Sequence, residues 1–203
     1  MAKYPEMADK IKGLPPKNQS AVYRLAVFSN DETDDIPVYE FFHKKTESMP
    51  DGRYILFLDA DIFINESSFI SKCLAMMIGG DYDLMTCKFK TLDGRYDNVF
   101  KIFSIVQRII SKFTPFAVGG FMLFKTETFR ALGGFDEEAK VAEDYLLSKQ
   151  VKPRKFKLIN KYAYTSSRRF DNKGIWYMIK LMTSSFLNRN NPEWFKHDHN
   201  YWK

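Results

Sequence analysis

The chain predicts an α/β sandwich with a mostly parallel central sheet, and three observations carry that expectation. Segments of strand character alternate with segments of helical spacing from Tyr54 onward. The run YILFL, Tyr54 to Leu58, is apolar without alternation, as in a strand covered on both faces. With 203 residues, 45% of them hydrophobic and 16% aromatic, the chain is long enough to enclose such a core in one domain.

Taken in order, Ala21 to Ser29 (AVYRLAVFS) reads as a strand running into the acidic turn NDETDD, and residues 41–53 read as polar and irregular. After the YILFL strand, Asn65 is the expected cap of a helix through Phe69, Cys73, Leu74 and Met77, with Gly79-Gly80 as its stop. Asp83 to Phe89 reads as a strand. Asn98 to Phe113 places Phe103, Val106, Ile110 and Phe113 at helical spacing, Pro115 ends the segment, and its apolar face is expected to point at the core. Phe121 to Lys125 reads as a strand and Glu127 to Leu132 as a short helix. GGFDEEAKVA then reads as a mobile loop hinged at Gly133-Gly134, Glu143 to Lys152 as a helix and Phe156 to Ile159 as a strand. There are no internal repeats or low-complexity tracts.

The net charge of +6 hides an asymmetry: residues 149–203 carry 13 Lys/Arg against 3 Asp/Glu, so a tail of +10 follows a body of −4. Such a tail is either a solvated lysine-rich face or a surface for phosphate or an anionic membrane. No nucleic-acid partner is expected, since the tail carries no recognisable nucleic-acid module. Two cysteines, Cys73 and Cys87, match no metal spacing and suggest a reducing compartment. No apolar run reaches the roughly 18 to 20 residues of a bilayer span, and MAKYPEMADKIKGLPPK lacks the apolar stretch of a signal peptide. A soluble cytoplasmic protein is expected, with peripheral contact at the inner face of a membrane left open to the basic tail.

The chemistry starts from FLDADIF. An ionised carboxylate is costly in low dielectric, so Asp59 and Asp61, at the end of an apolar strand, require a cationic partner. Oxygen ligands of this kind suit Mg²⁺ or Mn²⁺, which complete their shells with water and phosphate oxygens. The plainer alternative is an acidic pair that only starts a turn. In residues 116–150, Gly119-Gly120 would let backbone approach a ligand closely, and Glu143 and Asp144 open a helix. Asp136, Glu137 and Glu138 read as complements of a helix dipole.

FLDADIF, GGFMLFKTETFRALGGFDE and AEDYLLS, in this order, resemble the family 2 glycosyltransferases of the GT-A fold over roughly residues 50–170. The resemblance implies a Rossmann-like sandwich of the nucleotide-diphospho-sugar transferase type over residues 1–170, followed by a basic, aromatic helical tail over 171–203. It implies that Asp59 and Asp61 hold the metal on the donor diphosphate, and that Asp144, beside Glu143, is the general base. It further implies a metal-dependent, inverting transfer from a nucleotide sugar to a hydroxyl of a saccharide or lipid-linked acceptor, of the kind used in cell-surface polysaccharide or glycolipid synthesis.

In TSSRRF, Arg168 and Arg169 lie where related enzymes often put a basic element against the diphosphate. AVFSNDETDD can be laid on the family's nucleotide-holding loop, matching Thr33 and Asp34 but putting Ser29-Asn30 where an acidic pair belongs. Nothing before Ala21 looks like the family's first strand. GIWYMIKLMTSSFL, Gly174 to Leu187, reads as a helix packed on the domain or lying in a membrane interface. His197 and His199 are either a late metal ligand or part of a frayed end.

Two other readings stand beside this one. The divergent N-terminal third suits a catalytically degenerate GT-A binding module. ILFLDADIF also resembles the nucleophile strand of haloacid-dehalogenase-type phosphatases, although that class wants Gly-Thr or Thr after the second Asp and a later D-D pair, where this chain has Ile62-Phe63 and AEDY.

Overall fold

A computed structural model describes residues 23–28, 38–41, 52–59 and 61–200, the first two segments through their backbone alone. Six strands form one sheet among the described residues: β1 (Tyr23–Phe28), β2 (Val38–Phe41), β3 (Tyr54–Asp59), β4 (Leu84–Thr91), β5 (Phe121–Lys125) and β6 (Phe156–Thr165), in the order β2-β1-β3-β5-β4-β6. The α/β class is the one the sequence predicts.

Strand directions are more mixed. β2, β3, β4 and β6 run one way, as in a parallel sheet, while β1 and β5 run against them. Because the two opposed strands lie between co-directional ones, β4·β6 is the parallel neighbour pair and the other four described pairs are antiparallel. The apolar run in YILFL reports burial on both faces and is silent on direction.

Both faces of the sheet are covered. Ile55 and Phe57 of β3, Met122 and Phe124 of β5 and Leu84 of β4 point to one side, where Phe129, Phe135 and Leu147 pack on them. Leu56, Phe121, Leu123, Met85 and Cys87 point to the other, against Phe69, Cys73 and Met77 of helix α1 (Phe69–Gly80). Those three sit at i, i+4 and i+8, the spacing that puts a stripe on one helix face. The glycine stop lies one residue later than expected: Gly79 and Gly80 belong to the last turn, and Asp81, at φ 48°, takes the left-handed position.

Helix α2 (Asp97–Ile110) reverses an expectation. Its buried positions are polar, Ser104 and Gln107, followed by Ser111, while Val106 and Phe113 are exposed. The inward face is held by specific contacts: Gln107 Nε2 donates to the Phe116 carbonyl at 2.6 Å, and Phe103 and Phe116 meet edge to face at 5.5 Å. Helical spacing defines an apolar face; it does not say which way that face turns.

The segment from Gly133 is anchored. Gly133 (φ 82°) and Gly134 (φ 76°) end the short helix α3 (Thr126–Ala131) in the left-handed conformation that glycine tolerates, and Phe135 then enters the core. Ala139 and Val141 join Tyr145 and Phe195 in a smaller cluster, and Lys140 N–H donates to the Phe195 carbonyl at 2.7 Å. The chain end is packed as far as it is described. Phe195 lies in helix α7 (Pro192–Phe195), and the His199 ring stacks on Trp194 at 4.1 Å.

Candidate active site

β3 delivers Asp59 to its carboxyl end, where the turn carrying Asp59 and Asp61 is closed by Ile62 N–H donating to the Asp59 carbonyl at 3.1 Å. Phe63 and Tyr164 then exchange backbone bonds at 2.8 and 2.9 Å, which stitches the turn to the end of β6. The residues that follow β6 thereby reach the aspartates. They include helix α5 (Arg168–Lys173) and its Arg169.

Gly119-Gly120 joins the two acidic elements. Asp59 N–H donates to the Gly120 carbonyl at 3.4 Å, and Gly119 N–H donates to Asp144 Oδ2 at 2.6 Å. Tyr145 N–H donates to the other oxygen, Oδ1, at 2.7 Å, so both carboxylate oxygens are held. Asp144 lies in the first turn of helix α4 (Glu143–Ser148), directly after Ala142 at φ 54°, a conformation an alanine adopts only when its surroundings enforce it.

A Cβ on Gly120 would lie 2.9 Å from the Phe89 ring and 3.0 Å from Ile62 Cδ1. Phe89 is buried and Ile62 belongs to the Asp59–Asp61 turn, so neither yields freely. Gly120→Ala is expected to lower stability by about 1–3 kcal/mol, the usual cost of overpacking, and to displace the Asp59 turn. Thermal unfolding measures the first effect; a melting temperature within a degree or two of wild type would contradict it.

The carboxylates crowd one another. The Asp59 carboxyl is raised to about 7, by burial first and Asp61 second, with Asp144 and Glu143 adding to the rise and the Arg169 guanidinium opposing it. Asp144 is raised too, by burial first and Glu143 second, against the Tyr145 and Gly119 N–H groups and Arg169. Asp59, Asp61, Glu143, Asp144 and Arg169 therefore share one electrostatic site. Arg168 is exposed, with its N–H on Ser166 Oγ at 3.2 Å. Asp34 and the expected first-strand region lie outside the described residues.

No cluster of three or more His, Cys, Asp or Glu side chains suited to a metal occurs among the described residues. Asp59 and Asp61 nevertheless fit Mg²⁺ or Mn²⁺: a half-buried carboxyl surrounded by like charge gains from a divalent cation, and Mg²⁺ is commonly held by one or two carboxylates plus water and phosphate. His199 has structural work instead. Its Nε2 is 2.8 Å from the Trp194 carbonyl, and its own carbonyl accepts the Tyr177 hydroxyl at 3.0 Å.

A supporting network went unseen in the sequence. Arg95 forks onto Asp171 at 2.9 and 2.7 Å, holds Asp93 through Nε at 2.8 Å, and donates to Ser167 Oγ at 2.7 Å. Tyr96 stacks on Phe170 at 4.9 Å and gives its hydroxyl proton to Asp171 at 2.9 Å. Hydrogen bonds from Ser167 and Arg95 keep the Asp93 carboxyl well below the usual carboxylate range. This network fixes the first turn of α5, hence Arg169. LDGRYD announces a tight polar turn, but nothing local links Arg95 to a partner 76 residues later.

No protein-family model matches the chain, and no curated protein does. Among solved structures it is similar to a mannosyltransferase from Pyrobaculum calidifontis in complex with GDP-Man and Mn2+, at 15% identity and a TM-score of 0.47. The match covers 75% of this chain and 44% of that one, so the chain spans less than half the length of that protein.

Proposed function

We propose that this chain is a glycosyltransferase of the family 2, GT-A type, moving a sugar from a nucleoside-diphosphate donor to an acceptor hydroxyl with inversion at the anomeric carbon. The observation that carries the reading is the joint field of Asp59, Asp61, Glu143, Asp144 and Arg169 around the Gly119-Gly120 turn. When bound at Asp59 and Asp61, Mg²⁺ or Mn²⁺ supplies positive charge for the departing diphosphate.

The protein's own groups do the rest. Arg169, exposed beside the aspartates, meets phosphate oxygens in the bidentate manner of a guanidinium. Asp144 takes the acceptor's hydroxyl proton. Its two backbone N–H bonds aim the carboxylate, and its raised proton affinity suits a base working near neutral pH. Removal of that proton as the hydroxyl attacks from behind gives inverted stereochemistry. The acceptor is a saccharide or lipid-linked hydroxyl, as in cell-surface polysaccharide or glycolipid assembly.

Titration calorimetry with UDP-, GDP- and dTDP-sugars tests this. One donor is expected to bind in Mn²⁺, to lose binding in EDTA, and to lose it again in Asp61→Asn. A folded chain that binds none of them overturns the reading. Metal-dependent binding without transfer to any acceptor would instead assign a binding module on the same scaffold.

A further inference from the structure

Helix α2 presents its apolar side to solvent. Ile102, Ile105, Val106, Ile109 and Phe113 are all exposed, Ile102 by 64% and Phe113 by 80%, while the buried positions are the polar Ser104, Gln107 and Ser111, beside Phe100 and Phe103. A helix whose task was only to cover the sheet would have the opposite arrangement. At about 100° per residue, the five apolar positions fall within an arc of roughly 100°. Lys101, Arg108 and Lys112, all exposed, form a row along one side of that stripe, and residues 98–113 contain no Asp or Glu. Asp97, at the helix start, is already engaged by Thr91 N–H at 3.0 Å and by Lys90.

Helix α6 (Ile175–Leu187) repeats the pattern. Trp176 is 83% exposed, with Ile179, Phe186 and Leu187 exposed on the same side at i+3, i+10 and i+11, and Lys180 among them. From Asn172 to Pro192 there is no acidic residue. No helix of the described residues is long and apolar enough to cross a membrane.

We propose that α2 is a docking helix that lies flat in the interface of an anionic bilayer, its isoleucine and phenylalanine stripe among the acyl chains and its cation row at the headgroup phosphates. The charge pattern selects this occupant. Apolar residues flanked by lysine and arginine, without acids, are the composition of interfacial helices, which keep their cations at phosphate level. A second copy of the chain fits less well, because an antiparallel two-fold contact between identical stripes brings two rows of cations together with no acid after Asp97 in either helix to pair them. This inference is independent of the donor chemistry, since binding to lipid requires neither metal nor nucleotide.

The test is co-sedimentation of the full chain with phosphatidylcholine vesicles, with and without about 30% phosphatidylglycerol, in EDTA. Binding to the anionic vesicles and weak binding to the neutral ones is expected. The pair Ile105→Asp, Ile109→Asp should lower binding to the anionic vesicles by at least about tenfold. Lys101→Gln, Arg108→Gln and Lys112→Gln together should lower it by about fivefold per cation, as should raised salt, and leave binding to neutral vesicles unchanged. The glutamine variant keeps every apolar contact, so the test stands even if the aspartate pair impairs folding. A folded chain that remains in the supernatant with both vesicle types overturns the proposal. So does a concentration-dependent dimer in sedimentation velocity that the aspartate pair dissolves, which would assign the stripe to self-association.

Discussion

Asparagine at position 144 is expected to lower sugar transfer by about 10²- to 10⁴-fold, the range ascribed to a positioned general base. Donor binding should change little, because under the proposed function the donor diphosphate falls to Asp59, Asp61 and Arg169. The substitution also has a structural cost that can be separated from the chemical one. Asp144 accepts Gly119 N–H on one oxygen and Tyr145 N–H on the other. An amide has one acceptor oxygen and one NH₂, so one of those N–H groups faces a donor, at a cost of about 1–3 kcal/mol. Relief of the burial penalty on the charged form offsets part of it. Assayed well below its melting temperature, the variant should still bind donor and fail to transfer. Turnover within a few-fold of wild type, in a folded variant, would remove Asp144 from the base's role and leave Glu143 as the next candidate.

The features legible in the sequence are those decided locally. YILFL ending in Asp59 reports a strand buried on both faces, and that strand is present with alternate residues in two cores. Phe121–Lys125 and the start of α4 at Glu143 fall where local pattern puts them. The features that escaped depend on distant partners. Whether β1 runs with or against β3 depends on the connection between them, which apolar content does not encode. The orientation of α2 depends on the bond from Gln107 to the Phe116 carbonyl, so its stripe could be counted but not aimed. The Arg95–Asp171 fork needs β4 and β6 to be neighbours before the two residues can meet. Gly119-Gly120 lies between these cases. A close backbone approach was readable, but what approaches is the Asp144 carboxylate, and Phe89 and Ile62 occupy the space of a Gly120 side chain.

The same crowding that suits Asp59 to a cation should make the metal-free protein less stable as pH rises. In the folded chain the Asp59 carboxyl is raised to about 7 from 3.8, chiefly by burial. Between those values the native state keeps a proton that the unfolded chain has released, so the stability associated with it is full below about 4 and is lost as pH rises through about 7. For Asp59 the loss is on the order of 4 kcal/mol, and the Asp144 carboxyl, raised by burial and then by Glu143, acts in the same direction. Glu66, held at about 2 chiefly by its bond from Lys161 and then by Lys72, acts oppositely, but its window lies below the ordinary carboxylate range. In EDTA the melting temperature should therefore fall from about pH 5 to pH 8. Mn²⁺ should restore it at pH 8, by supplying the countercharge that the proton supplied at pH 5. Asp59→Asn should melt higher than wild type at pH 8 in EDTA, no longer respond to Mn²⁺, and show no metal-dependent donor binding. A pH-independent melting temperature in EDTA, or an Asp59→Asn variant that still gains stability from Mn²⁺, would mean that this carboxylate is neither strained by its surroundings nor a metal ligand.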